Sequence, residues 1–234
     1  MIYKDDGKMI SRVPYNKQTL DTPNPIARFS HRARYKISFN KVLEYLSSNG
    51  VLLDFGCGDG SFLLNIATVR PHVVLYGFDP ESEQNSESYN RVNSLDNLND
   101  RSIDVVCCFE TIEHLYTHER ERFYVNLKRI LTRNGKVVVS VPIIGGPTLL
   151  LKDINRRILF KRKSEYSMKE LLLASLFYYP APKPENLRVS HKGFNFRDIE
   201  EELSAKFKIV EKIFSPFPFL PWFLNSQFFL VLSN

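Results

Sequence analysis

Residues 51–60 read VLLDFGCGDG, and this stretch decides the fold. Val51, Leu52 and Leu53 form a short apolar run of the kind that makes a buried parallel strand. Asp54 ends it. Gly56, Gly58 and Gly60 follow at alternate positions, and Phe62, Leu63, Ile66 and Ala67 then fall at helical spacing. The pattern is strand, glycine turn, helix. Glycine lets the backbone turn sharply and approach a ligand closely, because no Cβ intervenes. The helix that follows offers free N–H groups at its start.

A dinucleotide-binding turn reads Gly-x-Gly-x-x-Gly, and its third glycine is replaced here by Ser61. An acidic residue before a Gly-x-Gly-x-Gly turn instead resembles the first motif of class I S-adenosylmethionine-dependent methyltransferases. The chemistry agrees. That cofactor has no pyrophosphate, but it carries a cationic sulfonium and an amino-acid tail, which suit an acid beside the turn.

Three more landmarks follow in order. In YGFDPE, a second strand over Leu75–Phe78 ends at Asp79, where a carboxylate can accept both hydroxyls of a ribose. In SIDVVCCFETIEHL, the run Ile103–Phe109 is a strand across the point where strand order reverses, with Glu110, Glu113 and His114 at its end. GKVVVSVP, residues 135–142, reads as the next strand after a helix over about 119–131. The likeness covers residues 48–142 well and 191–234 more loosely.

The resemblance implies an α/β, Rossmann-like three-layer sandwich. Its seven-stranded sheet is mostly parallel, with an antiparallel last strand and a helical insertion after strand five. One domain, 1–234, is expected, with an N-terminal helical cap over about 25–48 and a substrate-side insertion over about 143–190. Residues 1–25 show no period. Asn195 is a plausible N-cap for a helix to Phe207. Ile209–Phe214 and Gln227–Leu232 read as the last two strands, and the aromatic stretch SPFPFLPWFLN between them is expected to be buried.

Site roles follow from the same resemblance. S-adenosylmethionine is the implied cofactor. Asp54, Gly56, Cys57, Gly58 and Gly60 would hold its methionine end, and Asp79 its ribose. Ser94 or the backbone of Leu95 would lie near adenine, where many relatives have an acid, and Glu110 near the sulfonium. His114, His191 and Glu113 are the catalytic candidates, since a hydroxyl acceptor must lose its proton. Glu110, Glu113, His114 and His191 also resemble the divalent-cation site (Mg, Mn or Zn) of small-RNA 2′-O-methyltransferases, with a similar motif in ubiquinone-biosynthesis O-methyltransferases.

Composition bounds the partners. The 234 residues carry a net charge of +6. Arg28, Arg32, Arg34, Lys36 and Lys41 cluster before the first strand, and Lys152, Arg156, Arg157, Lys161, Arg162 and Lys163 after the fifth. Such groups suit an anionic acceptor, a small molecule or glycan of surface-polysaccharide synthesis by resemblance. A membrane surface or nucleic acid is the alternative, without a recognisable RNA-binding module. An NAD-dependent oxidoreductase and a degenerate binding module are rival readings. Cys57, Cys107 and Cys108 are expected as reduced thiols in a cytoplasmic protein. No apolar run reaches the roughly 18 residues of a spanning helix, which leaves peripheral contact as the membrane option.

Overall fold

The computed structural model describes residues 25–80, 87–160, 163–186 and 190–234. The unpatterned stretch 1–24 and the side chains of Arg156, Lys161 and Arg162 lie outside the described residues. The chain runs α1 (Pro25–Tyr45), β1 (Val51–Phe55), α2 (Ser61–Val69), β2 (Val74–Phe78), β3 (Asn90–Arg91), β4 (Ile103–Phe109), α3 (Thr117–Ile130) and β5 (Leu131–Pro142). Then follow α4 (Pro147–Phe160), α5 (Met168–Leu176), α6 (Phe196–Ser204), β6 (Lys208–Ser215) and β7 (Gln227–Ser233).

The strands form one seven-stranded sheet in the order β3-β2-β1-β4-β5-β7-β6. β1 pairs in parallel with β2 and β4, and β4 with β5. β7 is antiparallel to both β5 and β6 and lies between them. Strand order reverses between β1 and β4, the place where an open sheet of this kind receives its ligand, beyond the C-terminal strand ends.

Strand periodicity sorts the apolar residues between the two faces. Leu52, Val105, Cys107 and Val138 pack with Val42 of α1, Leu46 just after it, and Leu63 and Ile66 of α2. Their neighbours Leu53, Val106, Cys108 and Val139 pack with Phe123, Leu127 and Ile130 of α3 and Ile199 and Leu203 of α6. Both faces are covered, which explains why β1 and β4 read as continuous apolar runs. Leu149, Leu171 and Ala174 give α4 and α5 a small core of their own.

Element edges differ from expectation by a few residues. α1 stops at Tyr45, and β5 begins at Leu131 because Leu131 pairs with Ile103 across a register shift. The Asn195 side chain accepts the Arg197 N–H at 3.2 Å, as its N-cap role requires. The expected burial of SPFPFLPWFLN is overturned at its tip. Phe219 is 98% exposed, and Phe217, Leu220 and Leu224 are also exposed. Only its far end is tucked in, where Trp222 meets Tyr178 at 4.8 Å and Phe196 at 5.6 Å. The reason is geometric: a connection between two paired strands projects past the sheet edge, beyond reach of either core. No helix among the described residues is long and apolar enough to cross a membrane.

Candidate active site

The glycine turn folds over the end of β2. Phe78 O accepts the N–H groups of Gly56 at 2.7 Å and Cys57 at 3.1 Å. Asp79 Oδ2 accepts the Gly58 N–H at 2.9 Å. Gly56, Gly58 and Gly60 have φ of 87°, 56° and 73°, the left-handed region that disfavours side chains. Asp79 thus stands beside the turn, held by the backbone it faces.

Asp54 lies beneath the turn and is buried. It pairs in register with Cys107 of β4, whose thiol donates to Asp54 Oδ1 at 3.3 Å. Burial pushes the Asp54 carboxyl up to about 7, against the Cys107 hydrogen bond and with the help of nearby Asp79. Burial likewise pushes the Cys57 thiol up to about 12, which disfavours its thiolate.

After β3, Ser94 caps a short turn. Its hydroxyl accepts the Asp96 N–H at 3.2 Å and donates to Asp96 Oδ2 at 2.9 Å, while Asp96 pairs with Arg122. The Leu95 side chain is buried in the core, and its carbonyl accepts from Arg129 Nη2 at 2.7 Å.

Beyond β4, the turn Ile112–His114 brings Glu113 and His114 together, and the segment before α6 brings His191. His114 Nε2 and His191 Nε2 are 2.9 Å apart. Glu113 Oε1 is 4.0 Å from the first and 3.9 Å from the second. The Glu113 side chain is 1% exposed, and neither of its oxygens has a hydrogen-bond partner among the described residues. Burial, reinforced by Glu110, raises the Glu113 carboxyl well above the usual range. Burial also lowers His191 to about 4, with His114 and Lys152 adding to it, so its ring is neutral near pH 7. Gly193 has φ 72°, and a Cβ there would lie 2.2 Å from Ala181 O, so the HKGF turn that carries His191 needs this glycine.

Glu110, expected with these three, is drawn away from them. Its Oε2 pairs with Arg34 Nη1 at 3.1 Å, and its Oε1 accepts from the Ser140 hydroxyl at 3.2 Å. The cluster that could hold a metal, among the described residues, is therefore Glu113, His114 and His191 alone. His118, one helical turn further on, is exposed.

Sequence reasoning misses three residues of the site. Arg34 is buried on the same stripe as Ser38, Val42 and Leu46, an i, i+4 series that marks it as inward-facing. As one charge of a basic cluster, it does not stand out by composition. Lys152 has an exposed stem, yet its amine turns inward to within 3.4 Å of Ile143 O, and burial lowers its pKa. Tyr89 packs against the glycine turn, and a Cβ on Gly60 would lie 2.6 Å from its hydroxyl. No sequence signal points to Tyr89, because the contact joins residues far apart in the chain.

A family model described as a methyltransferase domain matches residues 28–183. The chain belongs to this methyltransferase family. S-adenosylmethionine is accordingly its cofactor, and the oxidoreductase reading falls. It is 30% identical over 116 residues to a probable S-adenosylmethionine-dependent methyltransferase of Mycobacterium tuberculosis, seen in two strains, covering 47% of this chain and 41% of the relative. The match thus spans about two fifths of the length of these curated relatives. Among solved structures, the PH0226 protein of Pyrococcus horikoshii OT3 superposes with a TM-score of 0.61 at 14% identity, covering 94% of this chain and 96% of that one. A Burkholderia thailandensis 1,6-didemethyltoxoflavin-N1-methyltransferase, crystallised with 1,6-didemethyltoxoflavin and S-adenosylhomocysteine, gives 0.54 at 12% identity over 88% and 83%. Both likenesses show a shared fold.

Proposed function

We propose that this domain transfers the methyl group of S-adenosylmethionine to a hydroxyl of an anionic small-molecule or glycan acceptor. The observation that carries the reading is the Glu113 carboxylate, buried and unpartnered among the described residues, facing two imidazole Nε2 atoms. A carboxylate in such a place calls for a proton or a cation. One oxygen and two imidazole nitrogens fit a divalent metal, Zn²⁺ or Mn²⁺ better than Mg²⁺. Bound there, such an ion would lower the pKa of the acceptor hydroxyl and orient it.

The remaining roles belong to the chain itself. Asp54 and the turn at Gly56, Cys57, Gly58 and Gly60 face the methionine end of the cofactor, and Asp79 the ribose. Glu110 offers a carboxylate to the cationic end, and Arg34, paired with it, offers a guanidinium to the cofactor carboxylate. Ser94 and Leu95 border adenine. Methyl transfer needs acceptor oxygen, methyl carbon and sulfur in line and shielded from water. α1 and the insertion of residues 143–190 supply that cover in this single-domain reading. Lys152 offers the acceptor side an amine, which suits a phosphorylated sugar. His191, held neutral, can take the hydroxyl proton where no cation is bound.

Equilibrium dialysis against Zn²⁺ and Mn²⁺ tests the cation site. One ion per chain is expected for the parent protein and none for Glu113→Gln, with S-adenosylhomocysteine still bound by both. Equal metal uptake by the two proteins, or none by the parent, overturns the metal reading.

A further inference from the structure

The connection from β6 to β7 exposes what a soluble protein hides. Phe217, Phe219 and Leu220 stand in water, Phe219 almost completely, at 98%. The loop is nevertheless firmly built. Asn225 is fully buried and clamps it from inside. Its Oδ1 accepts the Phe217 N–H at 2.7 Å, and its Nδ2 lies 3.0 Å from Phe217 O, 3.3 Å from Leu220 O and 3.1 Å from Pro221 O. The Leu220 N–H donates to Phe217 O at 3.0 Å. Pro216, Pro218 and Pro221 have no N–H to satisfy. The tip therefore turns its apolar side chains outward while the Phe217 and Leu220 N–H groups and the Phe217, Leu220 and Pro221 carbonyls are matched within. That matching lowers the cost of leaving water, since unmatched backbone groups are what an apolar medium penalises.

Charge says what it meets. The Phe217 ring lies 5.8 Å from Phe29 at the start of α1. Around Phe29, the side chains of Arg28, Arg32 and Lys36, spaced i, i+4, i+8, line a shallow pocket with Pro216. None of the three cations has an ion-pair partner among the described residues. An apolar projection beside three such cations matches an anionic lipid surface, with headgroup phosphates meeting the cations and acyl chains the phenyl ring. A second copy of this chain fits poorly, because a symmetric contact here would bring like charges together. We propose that the 216–221 tip and the basic start of α1 dock this domain on an anionic membrane surface. The proposal does not depend on the acceptor or on the metal reading.

The test is co-flotation of the full chain with vesicles of phosphatidylcholine alone or with phosphatidylglycerol added. The parent protein is expected to bind the second kind, more weakly at high salt because the charges are screened. Phe219→Ser with Leu220→Ser should weaken binding about tenfold or more. Arg28→Gln with Arg32→Gln should remove the preference for phosphatidylglycerol. Both variants should keep parental affinity for S-adenosylhomocysteine, which shows that they fold. Absence of parental binding, or variants that float like the parent, overturns the proposal. So does a dimer in sedimentation that Phe219→Ser dissolves, since the tip would then be a contact between copies.

Discussion

Alanine placed in turn at Gly56, Gly58 and Gly60 should have three different effects, although the motif makes the positions look alike. A non-glycine residue in the left-handed region costs about 1–2 kcal/mol. Removing glycine from the unfolded chain returns about 0.4–1 kcal/mol. At Gly58 nothing lies within 4 Å of the new Cβ, so Gly58→Ala should cost no more than about 1.6 kcal/mol. At Gly56 the Cβ would lie 2.1 Å from Thr111 Oγ1 and 2.8 Å from Thr111 Cβ. At Gly60 it would lie 2.5–2.7 Å from two ring carbons and the hydroxyl oxygen of Tyr89. Overpacking adds about 1–3 kcal/mol at each, so these two variants should lose about 1–5 kcal/mol. Cofactor affinity should rank differently. The open space over Gly58 is where a ligand would approach the backbone, so Gly58→Ala should weaken S-adenosylhomocysteine binding far more than it weakens folding. Urea unfolding gives the first quantity and calorimetric titration the second. Equal stability losses at all three positions would refute the contact argument. A Gly58→Ala protein with parental affinity would refute the placement of the ligand.

The other predictions concern ionisable groups. Asp54 has its carboxyl raised to about 7, and a cationic ligand end stabilises only its ionised form. S-adenosylhomocysteine should therefore bind more tightly as pH rises from about 6 to 8, with proton release. Asp54→Asn should flatten that profile, and a parental profile already flat would count against the role. His191→Ala should spare cofactor affinity while lowering methyl transfer at least about a hundredfold. Loss of cofactor affinity in a folded His191→Ala protein would place His191 on the cofactor instead.

Much of the domain is legible in its amino-acid sequence. The runs at Val51–Leu53 and Ile103–Phe109 are continuous because helices cover both faces of a parallel sheet, and that burial writes itself into composition. Asp79 is legible because the end of a strand in this topology is a fixed place relative to the turn after β1. The end of β4 is less so. Glu110, Glu113 and His114 are neighbours in sequence, yet a φ of 50° at Glu110 sends its carboxylate to Arg34 and Ser140 while Glu113 turns toward His191.

Sequence by itself determined where the main strands fall along the chain and the glycine turn with its acids, and through these the family resemblance that implies the cofactor. These depend on local periodicity and on spacing along the chain. Tertiary structure decided which side chains meet. His114 and His191 approach to 2.9 Å across 77 residues, Arg34 reaches Glu110 from a helix notable in sequence only for its charge, and Phe219 emerges where burial was expected. Spacing cannot report such contacts, because a side chain's partner and its exposure depend on where distant elements come to rest around the same sheet.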